Sequence, residues 1–341
     1  MKDIQKKNKI IIILIFLLIV SLTNFFADKI SAQLKNILIE QFSIIESDDK
    51  LMVHFISVGQ GDAIAINLPN DEVLLIDTGP KDSAVTFTNY IKEKVFNNRT
   101  DKTIDYLILT HADADHIGGA MRLLKNFDVE NIYIPFLESE STTYLQLIEY
   151  IKSGDYDLMS DLSKSLVSDE YDIKIFGPFD STDTNDTCPI IRLEYRNVSF
   201  LFTGDISNDI ESILLSDYSD DIDSDIIKIA HHGSKYSSSL EFLQAVSPEY
   251  AVISCGNNSY GHPTDVVLKN ISEVGALAIR TDVAGNILFS VSSENDFDLL
   301  TGEYNITGLV IDYRYFVLAF DLIMIVCICA LLLKKAKTHI H

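Results

Sequence analysis

The sequence predicts an α/β domain of two packed mixed sheets with helices on their outer faces, an αββα sandwich, flanked by two transmembrane helices. Three observations predict it. Short apolar runs come first as a consecutive set and then alternate with helical patterns, and that order recurs in the second half of the chain. Both ends of the 341-residue chain hold long stretches almost free of charge. Between them, ligand-type side chains gather in short motifs at the ends of predicted strands, where α/β folds hold ligands.

Residues 10–26 carry no formal charge and follow Lys2, Lys6, Lys7 and Lys9. Residues 316–333 carry only Asp321 and precede Lys334, Lys335 and Lys337. A span needs about 17–25 residues, and flanking lysines favour the cytoplasmic side. The expected organisation is a cytoplasmic tail over 1–9, an anchor over 10–26 and a connector over 27–50. The folded domain follows over 51–303, then a linker over 304–315, a second span over 316–333 and a cytoplasmic tail over 334–341. The protein then sits in the cell membrane with both termini cytoplasmic and the domain outside. A cleaved signal peptide ending near Ile30-Ser31-Ala32 is the alternative for the first stretch, and it too exports the domain.

The whole chain has 27 basic and 50 acidic residues. Leaving out both ends, residues 27–315 hold 20 basic against 48 acidic, a net of −28. Such a domain has no general polyanion-binding surface, so any nucleic-acid contact is confined to the active site. A composition of 47% hydrophobic and 23% charged residues excludes wholesale disorder. Cys327 and Cys329 fall in the second apolar stretch. Cys188 and Cys255 form no Cys-x-x-Cys motif, and their spacing leaves pairing open.

Strands are predicted over 51–57, 63–67 and 73–76, then 105–109 and 131–134, with helices over 83–96, 118–126 and 143–153. The second half repeats the scheme. Strands 172–176, 190–195 and 198–202 precede 225–230, 250–254, 277–280 and 286–290, which alternate with helices over 206–215, 238–246 and 264–274. Residues 155–170 are acidic and irregular and read as a surface excursion.

Five of the six histidines between the apolar ends sit in three short motifs. The densest is Thr110-His111-Ala112-Asp113-Ala114-Asp115-His116-Ile117-Gly118-Gly119, directly after an apolar strand. Four ligand-type side chains within six residues suit a two-ion site: His111 and Asp113 face one ion, while Asp115 and His116 turn toward a second. A calcium loop would need more oxygen ligands and a distal Glu. Asp205 ends a strand at a Thr-Gly turn. His231 and His232 follow another strand, and adjacent residues at a strand end point opposite ways, so only one reaches a metal. His54, within the first strand, reads as structural. Gly59-x-Gly61 lacks the third glycine of a dinucleotide loop, and no Gly-x-Ser-x-Gly elbow is present.

The 111–116 motif resembles the His-x-His-x-Asp-His signature of the metallo-β-lactamase-fold hydrolases, with Asp113 at the second histidine position. More narrowly, it resembles the metallo-β-lactamase domain of the ComEC family of competence (DNA-uptake) proteins. Val58-Gly59-Gln60-Gly61-Asp62-Ala63, Leu75-Ile76-Asp77-Thr78-Gly79 and Phe202-Thr203-Gly204-Asp205 match that family in order. So do His231-His232-Gly233-Ser234, Tyr260-Gly261-His262-Pro263 and Arg280-Thr281-Asp282 with Gly285. Ser57 departs where the family has aspartate, and Cys188 where it has serine. No multi-spanning channel accompanies the domain, so DNA transport does not carry over.

The resemblance implies a metallo-β-lactamase αββα sandwich with two divalent ions, zinc or manganese, held by His111, Asp113, Asp115, His116, Asp205 and His232. His111, Asp113 and Asp205 would serve the first ion, helped by Asp186 or water. Harder oxygen ligands there shift preference toward manganese. Asp115 would also orient a metal-bridging hydroxide. His231 takes a catalytic, substrate-contacting role, and His262 donates a proton to the leaving group. Asn185, Ser234 and His262 would contact substrate. The expected substrate is a phosphoester, a phosphodiester including DNA by family resemblance, or an envelope-linked phosphodiester given the acidic surface. The alternatives are a β-lactamase-like amide or ester hydrolase, and a non-catalytic, metal-stabilised envelope module that binds partners.

Overall fold

The segments Val73–Ile76 (VLLI) and Val198–Phe202 (VSFLF) are buried along their whole length. Only strands covered on both faces are so, and this double burial stacks two sheets under outer helices. The computed structural model describes residues 50–302, apart from residues 98, 136–138, 155, 160, 163–165, 167 and 180, together with the strand Asn305–Ile306. In chain order the strands are β1 (Leu51–Phe55), β2 (Ile64–Asn67), β3 (Val73–Ile76), β4 (Thr103–Ile108), β5 (Asp128–Tyr133), β6 (Asp157–Leu158) and β7 (Asp172–Phe176). They continue with β8 (Ile190–Tyr195), β9 (Val198–Phe202), β10 (Ile226–Lys228), β11 (Tyr250–Ile253), β12 (Leu277–Arg280), β13 (Ile287–Ser293) and β14 (Asp296–Thr301). The helices are α1 (Ala84–Tyr90), α2 (Ala114–Ile117), α3 (Ala120–Leu124), α4 (Thr142–Ser153), α5 (Asn208–Asp217), α6 (Leu240–Val246), α7 (Asp265–Glu273) and α8 (Thr281–Ala284).

Within the unit Ser47–Glu303, one sheet runs β14-β13-β1-β2-β3-β4-β5-β6 and the other β12-β11-β10-β9-β8-β7. Each is mixed. The first is antiparallel from β14 to β3 and parallel from β3 to β6. The second is antiparallel from β7 to β9 and parallel from β9 to β12. Consecutive strands pair as hairpins, while strands separated by helices pair in parallel, which is the set-then-alternate order of the sequence. The apolar residues form three layers. Phe55, Ile66, Phe200, Phe202 and Phe289 pack between the sheets, with Phe55 and Phe200 rings edge-on to Phe289 at 6.0 and 5.8 Å. Phe87, Ile91, Leu123 and Leu147 cover the outer face of the first sheet. Ile210, Leu214, Phe242 and Ile271 cover that of the second.

Three expectations need correction. Residues 155–170 are not a mere surface excursion: Asp157–Leu158 adds β6 to the first sheet, and Leu162 and Leu166 are buried in the inter-sheet core. Their four-residue spacing puts two leucines on one side of an otherwise acidic segment. The predicted helix 118–126 shortens to α3, and a separate short helix that was not expected, α2, precedes it and contains His116. The final strand runs on to Ser293 and turns at Asn295, whose φ is 55°, into β14. His54 is structural as expected: its ring nitrogens lie 3.0 Å from the Tyr90 hydroxyl and 3.2 Å from Asn67 Oδ1. Cys188 and Cys255 are free and buried. Among the described residues no helix is long and apolar enough to cross a membrane. Both apolar stretches, 10–26 and 316–333, lie outside them.

Candidate metal centre

The ends of the two sheets bring the ligand-type residues together. β3 and β4 are parallel neighbours in one sheet, and β9 and β10 in the other. Their carboxyl ends deliver Asp77, the 110–116 loop, Asp205 and His231-His232. β2 runs antiparallel to β3, so Asp62, just before it, arrives at the same end. Gly61 lets this happen: its φ is 135°, and a Cβ there would collide with the Asp115 carbonyl oxygen, the atom that accepts the Asp62 N–H at 3.2 Å.

Asp77 is completely buried, with φ at 58°. Its Oδ1 accepts the Thr110 N–H at 2.8 Å. Its Oδ2 accepts the Thr110 hydroxyl at 2.6 Å and His116 Nδ1–H at 2.7 Å. Because the Thr110 hydroxyl spends its proton on Asp77, its oxygen accepts from His111 Nδ1 at 3.0 Å. His232 Nδ1 donates to the Ser254 carbonyl at 2.8 Å. All three histidines therefore commit Nδ1 to the protein and turn a bare Nε2 inward, the usual tautomer control of a metal-ligating histidine. The three Nε2 atoms are buried and have no hydrogen-bond partner.

These atoms surround Asp205. Its Oδ2 lies 3.3 Å from both His116 Nε2 and His232 Nε2, and Asp115 Oδ2 lies 3.3 Å from His232 Nε2. His111, His116 and Asp205 form one group whose ligand atoms lie within 4.8 Å of one another. Asp115, His116 and His232 form a second. Orphaned imidazole nitrogens around buried carboxylates suit divalent cations well.

The charges agree. Burial works against a charged His116, yet Asp205 and Asp77 raise its pKa well above the ordinary value. His232 likewise rises against burial to about 9, through Asp205 and Asp115. Burial opposes ionisation of Asp115, but His232 and His116 bring its pKa down to about 2. Asp205 is held well below the carboxylate range by His232, His116 and Lys228, again against burial. His111 is pushed down to about 3 by burial and by His116. The carboxylates that raise His116 and His232 would equally favour cations set between them.

The other expected residues fall around this cluster. Asp113 is at the rim, its Oδ2 3.8 Å from His111 Nε2 and its side chain 54% exposed. Asp186 is turned away, accepting the Ser207 N–H at 2.9 Å. His231 is outside the ligand groups, although strand alternation is not the reason. Both His231 and His232 have positive φ, 49° and 54°, and make a left-handed turn beyond β10. The His231 ring lies 5.7 Å from that of His262. Asn258 brackets the His262 backbone, accepting its N–H at 3.0 Å and donating to its carbonyl at 2.7 Å. His262 Nδ1 is buried without a partner, and burial, then His231 and His232, lowers its pKa. Ser234 Oγ accepts the Tyr236 N–H, and the Asn185 N–H donates to Asp183. Neither side chain bonds to the cluster.

Sequence reasoning assigned no role to Asp77, Asp62 or Lys228. The first two lie inside recognised motifs. Lys228 had one signal, a lysine in the apolar run Ile226-Ile227-Lys228-Ile229-Ala230. Cys188, at a position where a serine was expected, has its Sγ 3.4 Å from His111 Nδ1.

Residues 56–257 match the model of the Metallo-beta-lactamase superfamily, and the chain belongs to that superfamily, whose members are generally metal-dependent hydrolases. Its relatives include ComEC-type competence proteins. ComE operon protein 3 of Bacillus subtilis (strain 168) is 32% identical over 260 residues, covering 70% of this chain and 32% of its own length. Competence protein ComA of Neisseria gonorrhoeae is 30% identical over 238 residues, 68% of this chain and 31% of its own. The chain thus spans about a third of the curated relatives it matches. The metallo-beta-lactamase fold protein YhfI from Bacillus subtilis aligns with 71% of this chain and 100% of its own, at 13% identity and a TM-score of 0.47.

Asp77→Asn tests the tautomer control. Either orientation of the new amide sets an N–H against a donor, Thr110 or His116. Metal affinity should fall roughly 10–100-fold, measured by competition with a chromophoric chelator. An unchanged affinity would show that Asp77 does not set the histidine tautomers.

Proposed function

We propose that the protein is a membrane-anchored, extracytoplasmic hydrolase of phosphoesters, with phosphodiesters, DNA strands included, as the leading substrate class. The observation that carries this reading is the set of three buried, unpartnered Nε2 atoms on His111, His116 and His232 around Asp205 Oδ2. The ComEC-type relatives favour a phosphodiester over an amide. The acidic surface favours a short or envelope-linked one over a long polyanion.

His111, Asp113, Asp115, His116, Asp205 and His232 would hold two divalent ions, zinc or manganese. Such ions supply an ionised water at neutral pH and offset charge on the attacked phosphoryl group. The protein's own groups do the rest. Asp115, at the mouth with its side chain 34% exposed, orients the nucleophile. His231 and His262 sit ring to ring beside the cluster, with Asn185 and Ser234 on adjoining loops, and contact the substrate. His262, held by Asn258 on both sides of its backbone, gives a proton to the departing oxygen.

Three outcomes are expected. His116→Ala and Asp205→Ala should each lose at least one metal equivalent and all turnover of bis-p-nitrophenyl phosphate; full metal and full turnover in either would overturn the two-ion assignment. His262→Ala should keep its metal yet lose roughly 10²–10⁴-fold in kcat on an ester with a poor leaving group. A nitrophenolate ester, which leaves without a proton, should lose much less, and equal losses would rule out acid catalysis. For topology, protease added to spheroplasts should digest residues 27–315 and spare tags at both termini. A protected domain would refute export.

A further inference from the structure

Lys228 closes β10 between β9 and β11, and its side chain is completely buried. Burying an ammonium costs several kcal/mol unless every donor is matched, and here every donor is. The three N–H groups reach Asp62 Oδ2, Asp205 Oδ1 at 3.2 Å and the Gly204 carbonyl at 2.8 Å. Burial lowers the pKa of such a group, but Asp62 and Asp205 more than reverse the effect and raise it above the ordinary lysine value. The residue is a fixed internal cation.

Its position divides the Asp205 carboxylate. Oδ1 faces inward to the ammonium. Oδ2 faces outward, at 3.3 Å from His116 Nε2 and the same from His232 Nε2. Asp205 groups with His111 and His116 on one side and with Asp62 and His232 on the other, so its outward oxygen stands between the two imidazoles. Were Oδ1 free, the carboxylate could turn and grip a single cation with both oxygens. Asp62 in turn anchors the lysine, and its own N–H is tied to the Asp115 carbonyl.

Building on the two-ion reading above, we propose that Lys228 is a positioning residue for the second metal ion. It takes up Asp205 Oδ1 and so leaves Oδ2 alone to face both His116 Nε2 and His232 Nε2. Lys228 touches no substrate and no reacting atom; it acts through Asp205.

The test is manganese titration of the full-length protein in detergent, followed by isothermal calorimetry and electron paramagnetic resonance. The unaltered protein should take up two equivalents and give the spectrum of two exchange-coupled ions. Lys228→Met should bind one ion with unchanged affinity and the second at least tenfold more weakly, giving the spectrum of isolated ions. Because Met leaves two buried carboxylates unpaired, Asp62→Asn/Lys228→Met is the companion variant. It removes both charges of the pair and should behave the same way. Lys228→Arg keeps the charge and should restore the coupled spectrum. Circular dichroism establishes that each variant is folded. Fewer than two equivalents in the unaltered protein would overturn the two-ion reading itself. Two coupled ions with unchanged affinity in a folded Met variant would overturn the role of Lys228 alone. So would equal weakening of both ions, which marks a general electrostatic effect.

Discussion

The carboxylate of Asp77 is the contact on which the centre depends. It sits just past β3, accepts from the residue that leaves β4, and holds His116 directly and His111 through the Thr110 hydroxyl. Its own N–H donates to the Ile108 carbonyl. Strand pairing, loop path and imidazole tautomer are therefore settled together. Hydrogen bonds to an ionised acceptor are stronger than neutral ones, and a buried one has no water to compete with it. The turn that places Asp77 requires a left-handed backbone, and the network repays that strain.

The second sheet contributes the complementary half. β9 brings Asp205 and β10 brings Lys228 and His232, so the centre is assembled across the inter-sheet core rather than within either sheet. Glu211 on α5, completely buried, accepts the N–H groups of Ser238 and Ser239 and thereby steadies the loop that follows His232. The apolar layers are built without the ligand residues. Phe289, Phe200 and Phe55 interlock well inside the sandwich, and the polar cluster lies at its rim.

Most of the architecture was legible because period and composition report burial directly. Strands such as Val73–Ile76 are apolar throughout, and helices such as Asp265–Glu273 alternate with them at ordinary spacing. The dense local motif 111–116 was legible for the same reason: ligands that must converge on one point come cheaply from one turn of chain. What stayed hidden depends on distant partners. Asp77 meets His116 across 39 residues of sequence, and Lys228 meets Asp205 across 23. A lysine at a strand end reads as solvent-facing until its carboxylates are found. β14 was missed because Asp296, Asp298 and Thr301 hide its half-apolar pattern. Leu162 and Leu166 were missed because the acids around them outvote two leucines.

The two free cysteines carry a consequence of their own. Burial pushes the Cys188 thiol up to about 12 and the Cys255 thiol up to about 11. Oxidants attack the thiolate, not the thiol, and at neutral pH the reactive fraction is on the order of one in 10⁴ or fewer. The two sulfurs are not bonded to each other. Among the described residues, the folded domain therefore presents no reactive thiolate and holds its two sheets together without a disulfide.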